Sequence, residues 1–172
     1  EFTKEHIAEF LKCKDDPVYF THNHIKIVNV DEGLVNFEMY PFQEKLISNF
    51  HKHRFNICKM PRQTGKSTTV VSYLLHYAIF NDNVNIGILA NKAATARDLL
   101  GRLQLAYENL PSWMQQGIIA WNKGSMELEN GSKIIAASTS ASAVRGMSFN
   151  IIFLDEFAFV QNHLADDFFA SV

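Results

Sequence analysis

The stretch Met60-Pro61-Arg62-Gln63-Thr64-Gly65-Lys66-Ser67-Thr68 constrains this chain more than any other feature. Before it, Phe55 to Met60 reads as a short apolar strand. After it, Val70, Val71, Leu74, Leu75 and Ala78 recur at helical spacing on two sides of one helix. A strand that turns through Gly-Lys-Ser into a helix suits a phosphate group. Backbone N–H groups at the helix start face the anion, with the positive end of the helix dipole behind them. Gly65 lets the backbone come close, the Lys66 ammonium neutralises phosphate oxygens, and the Ser67 hydroxyl is a ligand for Mg2+. Pro61, Arg62, Gln63, Thr64 and Thr68 complete the cradle. The general pattern has glycine where this chain has Met60, but the strand before and the helix after outweigh that departure.

Far downstream, Ile151-Ile152-Phe153-Leu154 ends in Asp155-Glu156. Four apolar residues followed by two carboxylates are, taken alone, an ordinary solvated strand end. Combined with the glycine-lysine-serine loop they gain roles. Asp155 holds Mg2+, directly or through water, and Glu156 orients and deprotonates an attacking water.

Between these motifs, strands alternate with helices. Ile86 to Ala90 is a second apolar strand, and Ala96, Leu99, Leu100, Leu103 and Tyr107 share a helix face. The α/β pattern predicts a parallel sheet with helices on both faces. Asn130-Gly131 joins Ser125–Glu129 to Lys133–Ala137 as a β-hairpin, expected as an addition at the sheet's edge. Residues 4–12 predict a helix that Asp16-Pro17 breaks. Residues 25–30 and 34–39 predict a hairpin, and Pro41 opens a helix with Phe42, Leu46, Ile47 and Phe50 inward.

Composition adds bounds. With 172 residues, 47% hydrophobic and 20% charged, the chain reads as a soluble globular protein with a sizeable core. No run is apolar enough to span a membrane, and residues 1–5 carry no signal-peptide pattern. Two cysteines, Cys13 and Cys58, do not make a disulfide framework and fit a reducing, intracellular setting. A net charge of −2 neither advertises nucleic-acid binding nor excludes a basic face.

Taken together, these stretches resemble the N-terminal ATPase region of tailed-bacteriophage large terminase subunits, most of all the T-even type. Arg62-Gln63-Thr64-Gly65-Lys66-Ser67 is similar to that family's variant loop, in which arginine stands inside and the first glycine is often absent. Ala143-Val144-Arg145-Gly146-Met147-Ser148-Phe149 and the run from Ile152 to Phe159 resemble the approach to its Walker B motif. Tyr40-Pro41-Phe42-Gln43 resembles its adenine-recognition motif, and Asn91 to Asp98 the segment after its second strand. The likeness runs from about residue 40 to 160.

That resemblance implies a P-loop NTPase fold of the ASCE, RecA-like kind, and an ATP hydrolase using ATP and Mg2+. It implies a motor that moves double-stranded DNA into a procapsid, as a homo-oligomeric pentameric ring on the portal protein, with a small terminase subunit. The setting implied is the host cytoplasm during assembly, with no membrane and no lasting place in the virion. Residues 1–39 then form an N-terminal helix and hairpin lid, and residues 40–172 the ATPase core. The chain ends 16 residues after Glu156, before the family's coupling motif, remaining strands and nuclease domain. The fold is therefore expected to be incomplete at its C-terminus, with a gap between the Walker A and Walker B strands, and no nuclease activity is assigned.

Gln43 reads the adenine edge through its two-way amide, or is an exposed helix glutamine. Packing of Tyr40 or Phe42 on the adenine ring is the alternative for these aromatics, but both are expected in the core. Arg62 stands where a guanidinium reaches the γ-phosphate of its own subunit, while Arg145's counterpart in the family is a candidate arginine finger acting on a neighbour. Surface salt bridges are the plain alternative for both. Lys92 and Arg97 suit phosphate contact or a solvated helix end. His22, His24, His51 and His53 are taken as ordinary polar positions rather than metal ligands, and Trp113 and Trp121 as packing. Two rival functions remain: a superfamily 2 helicase-like ATPase, which requires a second RecA-like domain, and a non-hydrolysing nucleotide-binding module, which has no use for Glu156.

Overall fold

The computed structural model describes residues 2–29, 31–139 and 146–159. They fall into two compact units. One comprises the described part of residues 1–80 with Leu103–Gln115. The other comprises Asn81–Arg102 with the described part of residues 116–172.

The first unit is mainly helical. Helix α1 spans Lys4–Asp15 and α2 spans Pro17–His24. Thr3 caps α1, its side chain accepting from the His6 N–H. Asp16 ends α1 and at once caps α2, accepting from the N–H groups of Val18 and Tyr19, and Pro17 takes the first helical position. The Asp16-Pro17 break is therefore a helix-to-helix junction, and α2 is an element beyond those the sequence pattern predicts. Strands β1, Lys26–Asn29, and β2, Gly33–Asn36, pair antiparallel as expected. Helix α3 spans Pro41–Lys52, with Gln43 and Ile47 buried.

Helix α4, Lys66–Phe80, is buried on nearly all sides from Thr69 onward. Its His76 sits among aromatic rings, edge-on to Phe20 at 5.4 Å and tilted against Phe80 at 4.8 Å. The His76 Nε2 bonds the Cys13 carbonyl at 2.8 Å, tying α4 to the end of α1.

The second unit is built on a five-stranded sheet in the order β4-β5-β6-β3-β7. Here β3 is Asn85–Ala90, β4 Ile118–Trp121, β5 Ser125–Leu128, β6 Lys133–Ser138 and β7 Ile151–Asp155. Helix α5, Ala93–Glu108, follows β3. β3 pairs parallel with both β6 and β7, whereas β5 runs antiparallel to both β4 and β6.

The sheet is thus mixed rather than wholly parallel, and two expectations are corrected. The Asn130-Gly131 hairpin is not an edge addition: β6 is ladder partner to β3, and the edge strand on that side is β4, which no local pattern in the sequence announces. Phe55 to Met60 is not a strand. Phe55 is 83% and Ile57 100% exposed, and no described strand pairs with them. An apolar segment becomes a strand only where a neighbour satisfies its backbone N–H and C=O groups.

Burial holds the His76 imidazole down to about 4, against the weaker opposing bond to the Cys13 carbonyl, with His51 adding to the depression. The folded pKa lies below the ordinary histidine value, so the fold keeps the ring neutral. That preference costs nothing above pH 6.5, and stability is lost as pH falls from 6.5 toward about 4. The full window is worth about 3 kcal/mol. Urea titrations from pH 7.5 to 5 should show falling stability, and His76→Phe should flatten that fall. An unchanged slope in the variant would assign the loss to other groups.

Candidate functional site

Pro61 to Gly65 forms a tight loop that enters α4 at Lys66. Two residues in it have left-handed backbones, Gln63 at φ 61 and Gly65 at φ 73. The Thr64 hydroxyl donates to the Pro61 carbonyl at 3.1 Å and closes the loop on itself. The Gly65 carbonyl is the first acceptor of α4, taking the Thr69 N–H at 3.0 Å and the Thr69 hydroxyl at 2.9 Å. Pro61, Arg62 and Gln63 are exposed, and Thr64, Gly65, Lys66, Ser67 and Thr68 half-buried. Nearby, burial pushes the Cys58 thiol up, and the Lys66 ammonium draws it down less strongly.

The structure brings Gln43 to this loop. Gln43 is 2% exposed and its amide is used at both ends. Its Oε1 accepts from the Tyr40 N–H at 2.8 Å, and its Nε2 donates to the Thr64 carbonyl at 3.1 Å. The first bond is half of a capping box, in which a residue three into the helix reaches back to the cap. The second braces the loop just before Gly65. A methyl group built on Gly65 would collide with the Gln43 amide nitrogen, so glycine is required by backbone and by neighbour alike. The sequence held a signal for the first bond, a glutamine two residues after Pro41. It held none for the second.

Tyr40 and Phe42 are not in the core. They are 65% and 42% exposed and stack on each other, ring centroids 5.8 Å apart and 7° from parallel. Pro41 turns the chain into α3 with Gln43 inward, which leaves the flanking rings outward.

In the second unit, β3 and β7 end side by side, with Ala90 opposite Asp155. From β3 the chain passes to β6 on one side and later to β7 on the other. Such a reversal at the carboxyl ends of parallel strands is where α/β sheets hold ligands. Asp155 is 5% exposed, while Glu156 is exposed with a left-handed backbone, φ 52. That is rare for a non-glycine residue and turns the chain sharply at the strand end. No residue type in the sequence announces it.

Phe149 lies beneath Gly87, and Asn150 fastens the start of β7 to Asn85, accepting its N–H at 2.8 Å. Lys92 and Arg97 are exposed, and Lys92 offers its carbonyl to the first turn of α5. Arg145, with Ala143 and Val144, lies outside the described residues. Among those described, Lys66, Ser67 and Gln43 belong to the first unit, and Asp155 and Glu156 to the second.

A family model described as terminase large subunit, T4likevirus-type, N-terminal matches residues 57–166, more than half of the chain. Among solved structures, the large terminase of bacteriophage HK97 is similar, with a TM-score of 0.72 at 17% identity. The match covers 92% of this chain and 34% of that one, so the chain spans about a third of that protein's length. At that identity the likeness speaks for the α/β fold.

Replacing Gln43 by alanine should leave the part-buried Thr64 carbonyl and the Tyr40 N–H without their partner. The expected loss is about 1–3 kcal/mol. Denaturant midpoints of Gln43→Ala and Gln43→Glu check it. The glutamate keeps the acceptor for Tyr40 but loses the donor for Thr64, so its loss should also exceed experimental error. Equal stability of Gln43→Glu and the parent would mean that the brace on the loop carries no weight.

Proposed function

The chain belongs to the N-terminal family of T4-like terminase large subunits, and from that membership we propose that it is the ATPase region of a DNA-packaging motor. On this reading residues 61–68 are a P-loop, the core is of the ASCE kind, and residues 1–39 form a lid ahead of a core starting at residue 40. The observation that carries it is the loop itself. Left-handed backbone at Gln63 and Gly65 delivers Lys66 and Ser67 to the N-terminus of a buried helix.

ATP is the substrate. The loop's backbone N–H groups and Lys66 bind its phosphates, and Gln43, beside the Tyr40–Phe42 stack, serves the adenine end once its amide gives up the Tyr40 N–H and the Thr64 carbonyl that it holds here. The Ser67 hydroxyl and the Asp155 carboxylate are hard oxygen donors, the kind that suits Mg2+, and they are the residues that would hold it. When bound, that ion neutralises phosphate charge. Glu156 accepts a proton from a water whose oxygen attacks the γ-phosphorus, and the bond to the β-phosphate oxygen breaks, leaving ADP and phosphate. Arg62 and Arg145 are the two candidates for the guanidinium that stabilises charge on the transferred group, Arg145 from a neighbouring subunit. Work from this cycle moves double-stranded DNA through a pentameric ring on the portal protein of the procapsid, in the host cytoplasm, with a small terminase subunit as partner.

In the full-length protein, Lys66→Ala should weaken ATP binding and abolish hydrolysis. Glu156→Gln should keep ATP bound yet slow turnover roughly 10²–10⁴-fold, since an amide cannot take the proton. ATP binding by equilibrium dialysis and phosphate release together separate the two. Parent-rate hydrolysis by Glu156→Gln would sink the base assignment.

A mixing experiment addresses the arginines. Rings mixed from Arg145→Ala and Glu156→Gln subunits should regain some ATPase, because an intact Glu156 can receive its arginine from the neighbour. No recovery in rings shown to be mixed would give the role to another residue, Arg62 first.

A further inference from the structure

Helices α1 and α2 bring three metal-ligating groups to one point, within the first unit. Glu9 and Cys13 are four residues apart and share a face of α1, and His24 closes α2. One carboxylate oxygen of Glu9, Sγ of Cys13 and one ring nitrogen of His24 all lie within 4.8 Å of one another. His24 Nε2 is 2.9 Å from Glu9 Oε1, and Cys13 Sγ is 3.7 Å from the same oxygen. Cys13 is fully buried, while the His24 and Glu9 side chains are 11% and 29% exposed, so the group is mostly shielded from solvent.

We propose that Glu9, Cys13 and His24 form a site for a borderline-soft divalent cation, with zinc the best match and water as the fourth ligand. Thiolate, imidazole and carboxylate together are zinc donors, and a thiolate is a poor ligand for Mg2+. Donors bound tetrahedrally at zinc distances stand about 3.3–3.8 Å apart. The observed separations, 2.9 and 3.7 Å with an upper bound of 4.8 Å, come to that range by side-chain adjustments of about 1 Å.

The surroundings suit a held ligand set. The Tyr19 hydroxyl donates to the other Glu9 oxygen, Oε2, at 3.1 Å, fixing the carboxylate as an outer-shell partner does. The His24 ring stands edge-on to Trp113, centroids 6.1 Å apart. Without a cation the same atoms form a hydrogen-bonded network, and burial, then the Glu9 charge, pushes the Cys13 thiol up to about 12. Binding therefore displaces protons. The Cys13 S–H bond breaks, the sulfur pair bonds the metal, and the proton goes to solvent, while His24 binds as the neutral ring. The bound cation clamps α1 to α2. It is separate in kind from the Mg2+ proposed at the loop, whose donors are oxygens.

The probe is Co2+, which reports thiolate ligation by a sulfur-to-metal charge-transfer absorption, titrated into metal-stripped full-length protein and then displaced by Zn2+. The band should appear, vanish on Zn2+ addition and be lost in Cys13→Ala. It should persist in Cys58→Ala, and Glu9→Gln and His24→Gln should weaken binding more than about tenfold, since even outer-shell changes cost roughly 10–100-fold. Circular dichroism establishes that each variant is folded. The parent titration and Glu9→Gln carry the test if Cys13→Ala does not fold. No charge-transfer band in the parent, a band that depends on Cys58, or unchanged affinity in Glu9→Gln and His24→Gln would overturn the proposal. Loss of ATPase without loss of the band would bear on the motor reading alone.

Discussion

The second unit depends on the pairing of β3 along both of its edges. Its residues from Ile86 to Ala90 are buried because β6 and β7 cover their backbone groups from either side and side chains cover both faces. Leu89 is 1% exposed and packs with Ala137, Phe149, Ile152, Leu154 and Phe157, drawn from both neighbouring strands and the segments beside them. Five ladder pairs fix the register of β7, and that register alone sets Asp155 at the sheet's carboxyl edge, opposite Ala90. A slip of one residue would put Leu154 or Glu156 opposite Ala90 in place of Asp155 and turn every side chain of β7 to the other face.

The same rule explains where the sequence was legible. Elements with local signals came through: the Asp16-Pro17 break, the hairpin of β1 and β2, Pro41 at the start of α3, and the Asn130-Gly131 turn. What failed was non-local. Phe55 to Met60 has strand composition, yet composition says nothing about whether a neighbouring strand is present. Ile118 to Trp121 looked unremarkable, yet β5 supplies it with a ladder across a register shift. Nor could spacing say that β6 is an inner strand while β4 takes the edge, because strand order is decided by which hydrophobic faces meet.

Of the candidate site, residue types were readable and orientations were not. A glutamine near an aromatic pair suggested an adenine reader flanked by core rings. The geometry inverts that picture: the glutamine is buried and bound to backbone at both ends, and the rings are exposed. The reason is the helix turn. Gln43 follows Pro41 by two residues, which places its side chain where it can reach back over the N-terminus, while positions 40 and 42 face away. His24 likewise looked like a polar surface residue. Its nearness to Glu9 and Cys13 comes from the α1–α2 junction, where Asp16 caps one helix as it ends the other.

Left-handed backbone at non-glycine residues costs on the order of 1 kcal/mol and persists where the surroundings over-determine it. Gln63 and Glu156 both satisfy that condition, each within its own unit. Gln63 is followed by the Thr64 hydroxyl bond to Pro61, the Gln43 brace and the buried length of α4, which together leave the loop few other paths. Glu156 follows five laddered residues and precedes the short helical turn Phe157–Phe159, whose Phe157 joins the Leu89 cluster. In each case a polar residue of interest is close in the chain: Lys66 comes three residues after Gln63, and Asp155 directly precedes Glu156. The strain is thus the local consequence of turning a well-anchored element sharply, and the turn is what presents the charged group at the element's end.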